Sequence, residues 1–207
     1  MENDKANWLK WVLEIQAIAQ NGLAYCGNEF DRERYIRLRE ISAEMASMNS
    51  QYSFHDINEI FSLERGYATP KLDVRAFILR DKKLLLVQER ADSLWTLPGG
   101  WVDVNESPSE SVIRETREET GFNISVIRLL ALWDKQKHDH PPQWPHAYKF
   151  FFHCEIISGE PKENLEISKI DFFDVKELPQ LSTHRVTKKQ LERLYEIIFS
   201  PGKTLFD

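Results

Sequence analysis

Residues 100–122 read GWVDVNESPSESVIRETREETGF, and this stretch decides the fold. Ser107 is followed by Pro108 and, two positions later, by a glutamate. That order is typical of a helix N-cap, a first-turn proline and a capping-box acid. Gly121 stands where a helix commonly ends in the left-handed conformation. The pattern therefore predicts a helix over residues 108–120.

Three glutamates, Glu115, Glu118 and Glu119, stand at positions i, i+3 and i+4 of this helix. Their carboxylates share one helical face, where like charges repel one another. Arg114, one turn before Glu118, offers one positive partner, and a divalent cation that prefers oxygen ligands offers another. The alternative is a solvated acidic face, which is the commonest fate of a charge run.

The flanking residues favour the metal site. The spacing resembles the Nudix box, G-x5-E-x7-R-E-U-x-E-E-x-G-U, in which U is a bulky apolar residue. The matching positions are Gly100, Glu106, Arg114, Glu115, Glu118, Glu119, Gly121 and Phe122. Thr116 departs from the pattern, because an apolar residue is expected there. Upstream, residues 95–100 read WTLPGG and are similar to the W-x-L-P-G-G segment of the same superfamily.

The resemblance implies an α+β fold, the Nudix α/β/α sandwich with a mixed sheet, and hydrolysis of a nucleoside diphosphate linked to another moiety, X. It implies Mg²⁺ or Mn²⁺ as the cofactor. Glu115, Glu118 and Glu119 would be catalytic and metal-binding, and Gly100 would add a backbone carbonyl. Two further residues, Glu106 and Arg114, would brace the loop and helix. Outside the box, Glu166 is the candidate for an additional catalytic carboxylate, with Glu163 as the alternative.

Apolar residues upstream of residue 67 recur at helical spacing. One stripe begins at Trp8 and predicts a first helix that ends at Asn21-Gly22. Asp31 is the expected N-cap of a second helix, and a third is expected over about residues 56–65. We predict a small all-helical domain over residues 1–66 and a Nudix hydrolase domain over residues 67–207. The helical part has little core of its own, so we expect it to pack on the second domain or to form a homodimer.

Beyond Pro70 the pattern favours strands. Residues 74–79 and 84–87 flank a charged turn and predict a hairpin. Further strands are expected over residues 124–132, 148–157 and 169–175, and a last helix over residues 186–199.

Composition limits the class of protein. The chain has 207 residues, 42% of them hydrophobic, and a formal net charge of −6. An acidic chain is a poor binder of duplex nucleic acid, so RNA is a possible but less favoured partner. Two distant cysteines, Cys26 and Cys154, cannot form a structural zinc site. Because neither a signal peptide nor an apolar run of about 20 residues is evident, we expect a cytoplasmic protein without membrane association.

The N-terminal segment, which begins with WLKWVLEIQ from Trp8, resembles a small bacterial branch of the superfamily. That branch includes CDP-choline pyrophosphatases, which have also been linked to 3′-to-5′ trimming of RNA. The first hypothesis is therefore hydrolysis of CDP-choline to CMP and phosphocholine. The runner-up is hydrolysis of ADP-ribose to AMP and ribose 5-phosphate. The further alternatives are an RNA 3′–5′ exonuclease activity, for which a basic strip near Arg193 would serve, and a nucleotide-sensing module.

Four residues are candidates for binding this nucleotide substrate. Arg75 and Arg90, on early strands, are placed where a phosphate or base could be reached. Trp133 and Trp144 flank a long Pro-rich loop and could stack on a base or cover a quaternary ammonium group. A purely structural role is at least as well supported for each of them, because such loops commonly bury a tryptophan.

Overall fold

The computed structural model describes residues 7–200 and 202–207, and the chain divides into two compact units. The helical unit extends to Pro70 and includes the segment Pro142–His146, and the sheet unit comprises Lys71–Pro141 and Ala147–Asp207. The sequence predicts the boundary between the two domains after residue 66. Residues 1–6, with which the predicted helical domain begins, lie outside the described residues. The segment joins the helical unit because the ring of Trp144 packs at 6.0 Å from that of Phe61.

The helical unit contains α1 (Asn7–Tyr25), α2 (Glu29–Met48) and α3 (Phe54–Leu63). Its core is small, as expected for a segment of this length. The buried apolar side chains are Val12, Ala43, Ala46, Ile57 and Phe61.

Local sequence signals misplaced the end of α1 and the start of α2. The first helix continues past Gly22 to Tyr25, and a Cβ atom at Gly22 would lie 2.3 Å from the ring of Tyr35. The glycine therefore makes room for a close contact between α1 and α2. Asp31 lies in the first turn of α2, and the N-cap is Asn28, whose side chain accepts a 2.8 Å hydrogen bond from the Asp31 N–H.

The third helix, α3, begins two residues before the predicted start. Ser53 is its N-cap and accepts a hydrogen bond from the N–H of Asp56. Ile57 is buried, whereas Ile60, a residue of the same helix, is 41% exposed.

The described residues of the sheet unit form seven strands: β1 (Lys71–Arg80), β2 (Lys83–Glu89), β3 (Trp95–Thr96), β4 (Phe122–Asp134), β5 (Ala147–Gly159), β6 (Ile167–Phe173) and β7 (Leu205–Phe206). Their order is β3-β2-β1-β5-β4-β7, and β6 pairs with β2. The predicted hairpin is present, with Asp81 and Lys82 of its turn at positive φ. Because β1 pairs parallel with β5 while β4 pairs antiparallel with β5, the sheet is mixed.

Helices α4 (Pro108–Thr120) and α5 (Lys188–Ile198) bury apolar faces in different core clusters. Along β1 the side chains alternate between these clusters. Val74, Ala76 and Ile78 lie in the cluster that includes Val112 of α4, whereas Phe77 lies in the cluster of α5. The expected α+β sandwich is therefore confirmed.

Both cysteines are free thiols, and Cys154 is buried in the α4 cluster. Within the described ranges, no helix combines the length and the apolar character needed to cross a lipid bilayer.

Candidate active site

Helix α4 begins and ends at the predicted residues. Ser107 and Glu110 form the reciprocal capping box, with the Ser107 N–H donating to the Glu110 carboxylate at 2.8 Å. At the other end Gly121 adopts a φ of +78° and donates its N–H to the carbonyl of Arg117. Both ends are set by contacts within a few residues of chain, which is why the sequence predicts them.

The loop before α4 is joined to β1. The N–H of Val74 donates to the Gly100 carbonyl at 2.8 Å, and the N–H of Ala76 donates to the Pro98 carbonyl at 2.9 Å. Gly99 has a φ of +134°, and a Cβ atom there would lie 2.0 Å from the Val74 carbonyl oxygen. Conformation and space therefore both require glycine at position 99. This carbonyl of Gly100, a predicted metal ligand, accepts a hydrogen bond from β1 and keeps a second lone pair, so its role as a ligand stays a prediction.

Glu119 is the most deeply placed of the three glutamates. Its side chain is buried, and its Oε2 accepts a 2.7 Å hydrogen bond from the Gly99 N–H. Burial raises the pKa of Glu119 to about 8, although the positive charge of Arg75 and the Gly99 hydrogen bond act in the opposite direction.

Glu115 lies against the glycine loop. A Cβ atom at Gly100 would come within 2.8 Å of its Oε2, so the carboxylate occupies space that any other residue at position 100 would fill. Burial raises the pKa of Glu115, and the adjacent Arg114 counteracts that rise.

Arg114 lies among the carboxylates. Its Nε and Nη2 atoms donate to the two carboxylate oxygens of Glu106 at 2.8 and 3.0 Å. Its Nη1 atom donates to Glu115 at 2.9 Å and to Glu118 at 3.1 Å. Hydrogen bonds between a guanidinium and carboxylates are short and directional, so one arginine orients three acidic side chains.

The three glutamates share a face, but their carboxylates do not converge. Within residues 7–200 and 202–207, no three His, Cys, Asp or Glu side chains are grouped closely enough to hold a metal ion. The reason is visible in the hydrogen bonds: Arg114 holds Glu115 and Glu118, while Gly99 holds Glu119. The ligand atoms nevertheless fit a hard divalent cation, because carboxylate oxygens lie beside Gly100, where a Cβ atom would fill the space. To gather around one ion, the glutamates would give up hydrogen bonds to Arg114 and to Gly99.

A loop that follows β5 is hydrogen-bonded to the C-terminal end of α4. The side-chain amide of Asn164 donates to the carbonyls of Glu118 and Glu119 at 2.6 and 3.2 Å. Glu166 is exposed, and its N–H donates to the side chain of Asn164 at 2.8 Å. Arg90 donates to the Asn164 carbonyl and to Glu163. The structure thus brings the loop carboxylates and Arg90 to the helix that carries the acidic face.

Three of the predicted substrate-binding residues make packing or ion-pair contacts in the structure, and their role in binding substrate stays a prediction. Arg75 is buried, and its guanidinium donates to Asp73 and to the Leu97 carbonyl. Trp133 is 3% exposed and packs on Phe151 in the core. Trp144 belongs to the helical unit, as described above. Aromatic packing holds both tryptophans, of which only Trp133 is buried, and ion pairing holds the arginine.

Sequence reasoning missed a buried ionic cluster beneath the glycine loop. Asp73 accepts hydrogen bonds from Arg75 at 3.0 and 2.8 Å and from Lys149 at 2.5 Å. Burial alone would raise the pKa of Asp73, but the two cations hold it at about 2. Burial lowers the pKa of Lys149 to about 7. Asp73 and Arg75 are two residues apart on β1, so the sequence indicates that they share one face of the strand. It does not indicate that Lys149 of β5 lies beside them.

Glu89 is a second carboxylate that the sequence did not single out. It lies at the end of β2 and forms a 2.5 Å ion pair with Arg185, which also contacts Asp92. Burial raises the pKa of Glu89, and its negative charge contributes to the raised pKa of Glu119. Glu89 therefore lies within electrostatic range of the acidic face of α4.

Comparison with known proteins identifies the family. A family model described as "NUDIX domain" matches residues 69–195, and one described as "UDP-X-like, N-terminal oligomerisation domain" matches residues 6–61. A protein of Bacillus subtilis (strain 168), named "Putative ADP-ribose pyrophosphatase YjhB", is 42% identical over 204 residues, which cover 98% of each chain.

Solved structures agree with these matches. A UDP-X diphosphatase is 36% identical and has a TM-score of 0.65, with 98% of this chain and 99% of that chain covered. An ADP-ribose pyrophosphatase from Streptococcus suis 89-1591 is 40% identical and has a TM-score of 0.62, with 67% of this chain and all of that chain covered (100%). The chain therefore belongs to the Nudix hydrolase family and carries a UDP-X-like N-terminal oligomerisation domain ahead of its Nudix domain.

Proposed function

We propose that this Nudix hydrolase cleaves the diphosphate bridge of a nucleoside diphosphate linked to X, with Mg²⁺ or Mn²⁺ as cofactor. The observation that carries the proposal is the placement of Glu115, Glu118 and Glu119 on one face of α4, beside the glycine loop. Water is added across the bridge, so one phosphorus–oxygen bond forms as the bridging bond breaks. The products are a nucleoside monophosphate and X-phosphate.

Each acidic residue has a proposed role. Glu115, Glu118 and Glu119 would hold the cation, which when bound neutralises charge on the phosphate oxygens. Glu118 is the most exposed of the three: its side chain is 54% exposed against 18% for Glu115. We therefore expect that replacing the hydrogen bond from Arg114 by the ion costs less free energy at Glu118 than at Glu115. Glu166 remains the proposed additional catalytic carboxylate, since its loop is bonded to the end of α4 through Asn164.

CDP-choline is the proposed substrate, with CMP and phosphocholine as products. The support is that both the N-terminal family model and the full-length solved neighbour are named for UDP-X, a class of pyrimidine nucleoside diphosphates to which CDP-choline is chemically close. ADP-ribose is the second candidate. It is favoured by the names of the Bacillus subtilis relative and of the Streptococcus suis structure.

The deciding experiment measures phosphate release, after phosphatase coupling, from CDP-choline, UDP-glucose, ADP-ribose and short RNA with Mg²⁺ or Mn²⁺. We expect the highest kcat/KM for CDP-choline and a loss of at least about a hundredfold in Glu118→Gln. The matched control is Glu196→Gln, which changes an exposed glutamate of α5 and should leave turnover unchanged.

Three results of this experiment would contradict parts of the proposal. A clear preference for ADP-ribose would replace the first substrate with the second. Wild-type activity in Glu118→Gln would contradict the proposal that the acidic face of α4 holds the cation. Nucleotide binding without turnover of any substrate would favour a nucleotide-sensing module over an enzyme.

We also propose that the helical unit forms a homodimer. Trp11, Ile18 and Tyr25 recur at seven-residue spacing on α1, and each is more than half exposed. Seven residues are close to two helical turns, so the three side chains form one apolar stripe. The family model for this region, described as an oligomerisation domain, supports a second copy of the chain as its occupant.

Light scattering coupled to size exclusion tests the dimer. The double variant Trp11→Glu/Ile18→Glu should elute as a monomer, whereas Trp11→Phe/Ile18→Leu should keep the dimer mass. A wild-type monomer, or a dimer that survives the glutamate substitutions, would contradict this interface. The cytoplasmic location of the enzyme stays a prediction.

A further inference from the structure

A pocket of about 360 Å³ lies in the sheet unit, between the turn after β4 and the start of α5. It shares no lining residue with the acidic face of α4. Polar side chains from residues 137–139 and 187–193 and the carboxylate of Asp207 line it, and β7 adds the apolar side chains of Leu205 and Phe206.

One of the lining residues, Gln190, has a buried side-chain amide. Gln190 is 2% exposed, and its Oε1 accepts a 3.1 Å hydrogen bond from the N–H of Thr187. This bond fixes the orientation of the side-chain amide, so the other atom is the NH2 group. That Nε2 atom has no acceptor among the residues that the structure describes. A buried donor left unsatisfied is destabilising, and a ligand oxygen would satisfy it.

The charges that line the pocket favour an anion. Asp139 pairs with Lys189, and Asp207 lies 3.2 Å from a ring nitrogen of His138. Lys137 and Arg193 are exposed, so the lining carries three cationic side chains, with Lys189, against the two carboxylates of Asp139 and Asp207. The pocket also lies at the N-terminus of α5, where the helix dipole and the first N–H groups attract negative charge.

Part of the lining is apolar. It comprises Trp133 and two residues of β7, Leu205 and Phe206, of which Phe206 is largely exposed. A bare inorganic anion would leave these side chains unused, whereas an organic phosphate would place its phosphate on the cations and its organic part on the rings.

From the buried amide donor, the cations Lys137 and Arg193 and the apolar part of the lining, we infer that this pocket binds a small phosphate monoester at a site separate from the acidic face of α4. Its volume is at the lower end of the range for small-molecule sites, which limits the ligand to a compact molecule. The reaction proposed above would release two such monoesters, although binding in this pocket does not depend on that reaction.

Isothermal titration calorimetry on the full chain tests the site. CMP, phosphocholine and inorganic phosphate are each titrated in EDTA, so that no divalent cation can attract phosphate to the acidic face. We expect at least one monoester to bind more tightly than inorganic phosphate. The affinity for that monoester should fall at least tenfold in Lys137→Ala/Arg193→Ala.

Lys188→Ala is the matched control. Lys188 lies on the same helix and pairs with Glu192, but it does not line the pocket, so affinity in this variant should stay within about twofold of wild type. If neither CMP nor phosphocholine binds at 10 mM (about ten times a millimolar Kd), the inference is overturned. An unchanged affinity in the double variant, or equal affinity for inorganic phosphate, would also overturn it. Because titration in EDTA involves no hydrolysis, these outcomes are distinguishable from a failure of the proposed activity.

Discussion

The backbone N–H of Gly99 and the Oε2 atom of Glu119 form a 2.7 Å hydrogen bond between the loop after β3 and helix α4. This bond joins the glycine loop to the most buried carboxylate of the acidic face. Any change that moves the Gly99 backbone will therefore move the donor that orients Glu119.

Gly99→Ala should destabilise the protein by at least about 3 kcal/mol and abolish hydrolysis. The added methyl group would meet the Val74 carbonyl at 2.0 Å, and the residue would be held at a φ of +134°. Chemical denaturation measures the loss. Gly27→Ala is the control, because a Cβ atom there meets nothing within 4 Å. Equal stability of the two variants would contradict the geometry of the glycine loop.

Thr116→Val should stabilise the protein by about 1 kcal/mol. Thr116 is fully buried, and its hydroxyl has no partner among the described residues. Valine keeps the shape and removes an unsatisfied polar group. It is also the kind of residue that the Nudix pattern expects at this position. Thermal unfolding measures the gain.

Thr120→Val is the matched control for that substitution. Thr120 is equally buried on the same helix, but its hydroxyl donates to the Thr116 carbonyl at 2.5 Å and accepts from the Phe122 N–H at 3.1 Å. Here valine should destabilise by about 1–3 kcal/mol, because the Phe122 N–H loses its acceptor. Two variants that change stability in the same direction would contradict this explanation.

Asp73→Asn should destabilise the protein by about 3–5 kcal/mol, because it removes the buried carboxylate that pairs with both Arg75 and Lys149. Urea denaturation measures the change. Asp73→Asn/Lys149→Met removes one of the two cations and should recover part of the loss. The control is Asp171→Asn at an exposed position of β6. A neutral effect of Asp73→Asn would show that the buried charges are not coupled.

His140 should make the protein less stable in mild acid. Its Nδ1 donates to the Thr183 carbonyl at 2.7 Å, which leaves Nε2 as a buried nitrogen without a partner among the described residues. Burial lowers the pKa of His140 to about 4, and the nearby cations Lys149 and Lys135 act in the same direction. Between pH 6.5 and 4 the unfolded chain therefore binds a proton that the folded chain does not, so the free energy of unfolding falls as the pH falls.

The experiment compares urea denaturation of wild type and His140→Gln at pH 7.5, 5.5 and 4. Relative to the variant, wild type should lose stability across this range, by on the order of 3 kcal/mol at most. His55→Gln, at an exposed position of α3, should follow the wild-type dependence. Parallel curves for wild type and His140→Gln would contradict a neutral, buried imidazole.

The sequence predicted those parts of the fold that depend on neighbouring residues. The bounds of α4 follow from the chemistry of Ser107 and Gly121, which act within a few residues. The same logic failed at Gly22, because that glycine serves a contact with Tyr35 of another helix. A local pattern cannot distinguish a glycine that ends a helix from a glycine that admits a neighbour.

The candidate site shows the same division. The shared face of the three glutamates follows from helical spacing alone. The position of Arg114 among their carboxylates depends on side-chain orientation, and the Asp73–Lys149 pair depends on the parallel register of β1 and β5 across 76 residues. Strand register of this kind is set by the whole sheet and is not encoded in either strand.

The helical unit is not one continuous piece of sequence, because Pro142–His146 belongs to it as well. The polypeptide passes from one unit to the other after Pro70, after Pro141 and after His146. Deleting residues 1–66 would therefore leave Trp144 behind without the Phe61 ring on which it packs. An autonomous catalytic fragment needs a redesigned loop, and transplanting the N-terminal region between relatives requires exchanging both segments together.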